Sequence, residues 1–198
     1  SVPDPSLVLH VTDGTIDHSR FRQVLTNNGA VVGKRVYYDG SSSIQKTQTI
    51  VSAGAWTVNM WINPDIVAAI VNLISGTAPT ANSVCQYLGF HSSGKLAFWD
   101  NDGAAWRLAN TVLSTSKWQM VTFSCAGSTV VKFHVNGEPD GTGAIGAALN
   151  DLYIRRLGVF TDGATRNYTG YQDDVKAFSE EKSDGDIKQY YEMTKGLY

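Results

Sequence analysis

Residues 55–64, Ala55 to Pro64, read AWTVNMWINP. Side chains alternate between the two faces of a strand. Trp56, Val58 and Met60 therefore share one side, and Thr57, Asn59 and Trp61 the other. Pro64, which cannot donate to a sheet ladder, closes the run. The wholly apolar side belongs to a core that includes Trp56. Trp61, on the opposite side, is left to a groove or to a second layer.

Strand-like segments surround this one. Leu7 to Val11 opens the chain, and VVGKRVYYDGSSSIQ alternates around Val36 and Tyr38 before a turn at Asp39-Gly40. The segment CQYLGFHSSGKLAFWDNDGAAWRLA carries two hairpin signals, Ser93-Gly94 and Asp102-Gly103. KWQMVTFSCAG and VVKFHVNGEPDG are two further strands joined by a turn at residues 126–128, the second ending in the strong hairpin signal Asn136-Gly137. Trp118, at the head of the first of these, is assigned to the core. LYIRRLGVF and YQDDVKAF are the last strands, while IVAAIVNLISG fits a short helix or a strand. Near the end, Ser183 with Asp186 three residues on resembles a capping box and predicts one helix of about two turns. Many short strands and a Gly-rich, aromatic composition predict a single all-β domain over residues 1–198: an antiparallel β-sandwich of the jelly-roll kind with one short C-terminal helix.

The formal net charge of -2 and the scattered 16 Lys and Arg exclude a basic nucleic-acid footprint. No run approaches the roughly 18 apolar residues of a membrane span. The chain starts at Ser1, so it is read as processed or cut from a longer polypeptide. The two cysteines, Cys85 and Cys125, form no metal-binding motif; a disulfide between them requires adjacent strands.

In order, the Asp17–Ser19 loop (DHS), YYDGSSSI, WTVNMWINP, YLGFHSSGKLAF, KWQMVTFS, FHVNGE, YQDDVKAF and a terminal IKQYY resemble the laminin-G-like, concanavalin-A-like jelly-roll domains. The resemblance implies two curved antiparallel sheets, one of them concave. It implies a module that binds glycans or proteins, often appended to enzymes, adhesins or virion proteins. It also implies a structural Ca2+, with ligands from an N-terminal loop and from the first Asp of the Asp-Asp-Val strand.

Some relatives of this fold are glycoside hydrolases or lyases. Glycosidic hydrolysis usually needs two carboxylates about 5 to 10 Å apart, flanking the substrate. The Glu-x-Asp-x-x-Glu strand of laminarinase-like relatives is missing. The four Glu stand at a hairpin (Glu138) and around the terminal helix (Glu180, Glu181, Glu192). In YQDDVKAF, strict alternation sends Asp173 inward with Val175 and Ala177, and Asp174 outward with Lys176, so the two cannot flank one sugar. The chain is expected not to be an enzyme.

For binding, Leu96 and Phe98 alternate inward, which sends Trp99 outward, and Trp106 lies on the returning strand. Sugar recognition pairs an aromatic platform with groups that hydrogen-bond hydroxyls. Trp99, Trp106, Asp100, Asn101 and Arg107 supply such a set. The alternative is a hairpin whose two Trp merely pack across the strands. Tyr87, Tyr153, Tyr168 and Tyr171 are secondary candidates.

An inward Asp173 must be neutralised. Asp17, Asp39 and Asp173 are the candidate calcium ligands. The alternative is an Arg (Arg20, Arg22 or Arg35) or backbone N–H groups beside Asp173. The resulting expectation is a recognition module for a glycan or surface polysaccharide, extracellular or on a cell or virion surface. The second reading is a structural, decoration or receptor-binding domain of a phage capsid, tail fibre or other surface assembly, in contact with neighbouring protein subunits.

Overall fold

A computed structural model describes residues 4–12, 17, 19, 25–33, 35–76, 84–85, 87–100, 105–127, 129–144, 151–159 and 166–198. The strands are β1 Leu7–Val11, β2 Leu25–Asn28, β3 Val31–Val32, β4 Val36–Asp39, β5 Ser43–Ala53, β6 Ala55–Pro64, β7 Val71–Ser75 and β8 Val84–Cys85. They continue with β9 Tyr87–Phe90, β10 Lys95–Asp100, β11 Ala105–Val112, β12 Gln119–Ala126, β13 Val130–Val135, β14 Glu138–Ala144, β15 Asp151–Leu157 and β16 Thr169–Phe178. Helix α1 spans Asp184–Thr194, and a 3-10 turn follows at Lys195–Leu197.

Two eight-stranded sheets face each other. The first runs β14-β13-β12-β6-β16-β4-β3, with β1 beside β16. The second runs β11-β10-β9-β7-β15-β5-β2, with β8 beside β15. The segment that fits helix or strand from sequence becomes β7, because its Val71 and Leu73 fill the core while its backbone pairs with β9 and β15. Trp56, Val58 and Met60 are fully buried between the sheets with Phe90, Phe98, Phe123 and Phe133. Cys125 lies in the first sheet, in that core, while Cys85 belongs to β8 of the second sheet. At the sandwich edge, the buried Asp140 carboxylate on β14 accepts from Thr111 N (3.1 Å) and Thr111 Oγ1 (2.5 Å) on β11, tying one sheet to the other.

The Asn136-Gly137 turn joins β13 to β14 with φ of 52° and 79°, the left-handed pair that a tight hairpin requires. The Asn136 side chain accepts from Met120 N at 3.0 Å, and Gly137 lies against Tyr191 of α1.

Helix α1 is capped as the sequence predicts. Ser183 Oγ accepts from Asp186 N at 3.1 Å, and Asp186 Oδ2 accepts from Ser183 N at 3.2 Å. The helix has 11 residues, about three turns rather than two. Its extra turn is held by tertiary contact: Ile187, Tyr190 and Tyr191 pack on Trp61 and Met120, on the outer face of the first sheet. Ser183→Ala should cost about 1 kcal/mol, measured by chemical denaturation. An unchanged stability would mean that packing alone sets the helix start.

Candidate binding site

Along β10, Leu96 and Phe98 are buried in the core and Trp99 is half-buried on the outer face, as the alternation predicts. The register pairs Trp99 with Trp106 across the hairpin, and their rings meet edge to face at 5.2 Å. The Arg166 guanidinium stands 5.9 Å from the Trp106 ring, and the His91 ring lies 5.8 Å from it. The next row of the same face is Leu108, Ala97, Gly89 and Asn72. Ala97, Gly89 and Asn72 in this row are buried, so the strands are closely packed beside the tryptophan pair. A Cβ added at Gly89 would lie 1.8 Å from the Val71 carbonyl oxygen, so β7 and β9 approach this closely only with glycine there. The Asn72 side chain is buried at the end of this row, and its Nδ2 has no hydrogen-bond partner among the described residues.

The structure thus brings Trp99 and Trp106 together and adds His91, Arg166 and Asn72. Arg107 stands elsewhere. It pairs in register with Phe98, so it shares the inward-facing side, and its Cβ and Cγ pack over Gly143 of β14. Adjacent residues on one strand point to opposite faces, so Arg107 cannot join the face of Trp106. Asp100 is the last residue of β10, paired with Ala105; Asn101 lies outside the described residues. Of the secondary tyrosines, Tyr87 and Tyr168 are buried, Tyr153 is half-buried, and Tyr171 is exposed on the other sheet. The mid-strand glycine in YLGF is the sequence signal for the close approach of β7 and β9; Arg166, in a loop, leaves none.

The carboxylates of YQDDVKAF are arranged differently from strict alternation. Asp173 pairs with Trp61 and Lys176 with Asn59, so β16 spends one more residue than β6 over this interval. That extra residue is a β-bulge, with Asp174 at φ 48°. Gln172, Val175 and Ala177 turn inward, and both carboxylates lie on the outer face, beneath the C-terminal segment. The expectation that Asp173 points inward and that the pair faces opposite ways is therefore corrected. Asp is among the few residues that tolerate this backbone.

Each carboxylate has protein partners. Asp174 Oδ1 meets His10 Nε2 at 2.8 Å and Lys176 Nζ at 3.2 Å, and Oδ2 accepts from the Tyr190 hydroxyl. Burial pushes Asp174 upward, but His10, Lys176 and Tyr190 outweigh it and hold the group below the usual carboxylate range. Asp173 Oδ2 accepts from the Tyr198 hydroxyl at 2.8 Å with Arg35 Nε at 3.9 Å, and Oδ1 accepts from Asp174 N. For Asp173 burial wins, and its pKa is raised. Burial and the neighbouring carboxylates raise Tyr190 and Tyr198.

These partners do not fit a calcium ion. Asp17 takes His10 N, Ser19 N and Ser19 Oγ at 2.8 to 3.0 Å; Asp39 takes Ser41 N and Oγ in its turn; Asp173 lies beside a guanidinium. Asp17, Asp39 and Asp173 do not converge, and no group of three or more His, Cys, Asp or Glu among the described residues is placed to hold a metal. Chelator is expected to leave the Tm unchanged. A fall on chelation would contradict this and show that a bound metal ion contributes to stability.

The outer face of the first sheet carries a second aromatic group. Trp61, nearly fully buried, stacks on Tyr198 at 4.4 Å and on Tyr191 at 5.7 Å. Trp118, assigned from sequence to the core, is half-buried on this outer face, 4.9 Å from Tyr198. Alternation back from Val121 and Phe123, which face the core, sends it outward on the side of Met120. A cleft of about 270 Å³ opens beside α1, between Thr57, Asn59, Phe178, Lys182, Ile187 and Tyr190. Its Lys182 is paired with Asp4 at 2.6 Å and with Glu180.

The sequence model of one family, described as the concanavalin A-like lectin/glucanases superfamily, matches residues 38–188. No curated protein matches the chain in sequence. Solved structures do match in fold. Domain 4 of AbnA, an extracellular arabinanase from Geobacillus stearothermophilus solved with arabinotriose, is 17% identical with a TM-score of 0.68. That match covers 93% of this chain and 97% of the domain. The botulinum neurotoxin serotype D ligand-binding domain, solved with N-acetylneuraminic acid, is 18% identical with a TM-score of 0.70, over 95% of this chain and 51% of that one. The receptor-binding domain of the C/D mosaic neurotoxin is 19% identical with a TM-score of 0.70 over the same shares. This chain spans about half the length of the neurotoxin structures. Among the described residues no helix is long and apolar enough to cross a membrane.

Proposed function

The chain belongs to the concanavalin A-like lectin/glucanases superfamily, and from that premise we propose that it is a non-catalytic recognition module that binds carbohydrate on the outer face of its second sheet. The carrying observation is the half-buried Trp99–Trp106 pair, flanked by Arg166 and His91. Indole faces pack against the C–H face of a sugar ring, while guanidinium and imidazole groups serve its hydroxyls. The arabinotriose-bound and N-acetylneuraminic acid-bound neighbours support glycan as the ligand class. In this reading the module works outside the cell or on a cell or virion surface, where such glycans are displayed. Receptor recognition within a surface assembly is the second reading, favoured by the likeness to neurotoxin receptor-binding domains.

A hydrolytic role lacks support. No Glu lies in the second sheet: Glu138 is in β14, and Glu180, Glu181 and Glu192 lie around α1. Asp173 and Asp174 are tied to His10, Arg35, Lys176, Tyr190 and Tyr198 beneath the C-terminal segment. Titration of intrinsic tryptophan fluorescence with oligosaccharides tests the reading. Trp106→Ala should weaken binding by about 2 kcal/mol, roughly 30-fold. An unchanged affinity would remove this face as the site, and release of new reducing ends from a bound glycan would make the chain an enzyme.

A further inference from the structure

We propose that the outer face of the first sheet carries a second carbohydrate site, built on Tyr171, on the opposite side of the sandwich from the tryptophan pair. The proposal rests on the glycan-binding reading and makes the module bivalent. Register aligns Val31, Tyr37, Tyr171 and Asn63 in one outward row across β3, β4, β16 and β6. The row is apolar yet open: Val31 is 65% exposed and Tyr171 41%. The Tyr37 and Tyr171 rings stand 4.9 Å apart, and Trp118 extends the platform 6.2 Å beyond Tyr171.

Two polar groups bracket this platform, and both are held in place. At the Tyr37 end, Asp65 Oδ2 accepts from the Tyr37 hydroxyl at 3.0 Å, and Oδ1 has no partner among the described residues. At the Trp118 end, the Arg35 guanidinium packs against both the Trp118 and Tyr198 rings, 4.6 and 4.8 Å from their centres. Its Nη2 donates to the Leu197 carbonyl at 2.6 Å and its Nε lies 3.9 Å from Asp173, while Nη1 has no partner among the described residues. Stacking fixes the side chain, so little rotamer entropy is left to lose on binding.

Charge selects the occupant. The platform ends in one carboxylate, Asp65, and one guanidinium, Arg35, which already lies beside Asp173, so neither end presents an unopposed positive charge. An anionic surface would meet Asp65, and a cationic peptide would meet Arg35. The matching ligand is uncharged, flat on one side, and able both to donate to Asp65 Oδ1 and to accept from Arg35 Nη1. A neutral sugar meets all of these conditions, because each hydroxyl is donor and acceptor at once.

Calorimetric titration with neutral oligosaccharides, arabinotriose among them, tests this. The wild type should bind two ligands per chain. Tyr171→Ala should bind one, with the affinity of the remaining site unchanged, and Trp99→Ala with Trp106→Ala should leave only the Tyr171 site. Asp65→Ala removes no apolar packing and should weaken the second site at least tenfold, which keeps the test valid if Tyr171→Ala fails to fold. A wild-type stoichiometry of one that Tyr171→Ala leaves intact, or two in Tyr171→Ala, overturns the second site and leaves the first reading standing. A shift from dimer to monomer on Tyr171→Ala overturns it in favour of a second copy of the chain. No binding by the wild type to any glycan removes both readings.

Discussion

Trp61→Ala is expected to destabilise the protein by about 3 to 5 kcal/mol, the range for deleting a buried aromatic side chain. Trp61 sits outside the main core, so the effect depends on the layer above it. Its indole stacks on Tyr198 with an interplanar angle of 15° and donates through Nε1 to Thr194 Oγ1 at 3.2 Å. It also packs against Met120 and Ile187. Its loss leaves a hole between α1 and the sheet and removes what holds the last turn of the helix. Urea denaturation followed by far-ultraviolet circular dichroism measures the effect. A loss below about 1 kcal/mol would show that helix and sheet are only loosely joined.

Asp174→Ala is the second large effect, again about 3 to 5 kcal/mol, because it strips a shared anion from a largely buried set of partners. Lys176 Nζ and His10 Nε2 both contact Oδ1, and the Tyr190 hydroxyl contacts Oδ2. Asp174→Asn keeps a residue that tolerates the φ of 48° and removes only the charge, so it should retain most of the loss. The pH dependence has a defined sign. Asp174 is held below the ordinary 3.8, so its contribution is full above that value and lost as pH falls through its folded pKa. Asp4, pushed up by burial but held down to about 2 by Lys182 and Ser6, acts in the same direction. Asp173, raised by burial, acts oppositely: the penalty of its buried charge is relieved as pH falls through its folded pKa. The wild-type Tm should therefore drop below about pH 4, and Asp174→Asn should flatten the drop. Identical pH profiles would show that the carboxylate is already protonated or solvated.

What the sequence could reveal followed from local rules. AWTVNMWINP divided its faces correctly, because nothing interrupts its ladder from Ala55 to Ile62 against β12. Asn136-Gly137 and the Ser183–Asp186 box announced a turn and a helix start through chemistry confined to a few residues. The misreadings arose where distant parts of the chain decide. The bulge at Asp174 depends on partners from β1 and α1, and it moves Asp173 to the outer face. Trp118 was assigned inward as the head of a strand, but Tyr198 and Arg35 offer it a place outside. Arg107 was grouped with Trp106 by proximity in sequence, although neighbours on a strand diverge. For the candidate site, the tryptophan pair was legible from a hairpin signal and alternation, whereas Arg166 and Asn72 join it only through the fold.

The central claim is that the Trp99–Trp106 face binds glycan. The most direct test is a glycan array probed with the wild-type chain and with the Trp99→Ala, Trp106→Ala double variant, each shown to be folded by an unchanged Tm. The account predicts saturable wild-type binding to a defined set of glycans and at least a 30-fold weaker signal for the double variant. Wild-type binding that the double variant retains in full, or no wild-type binding to any glycan, would contradict it.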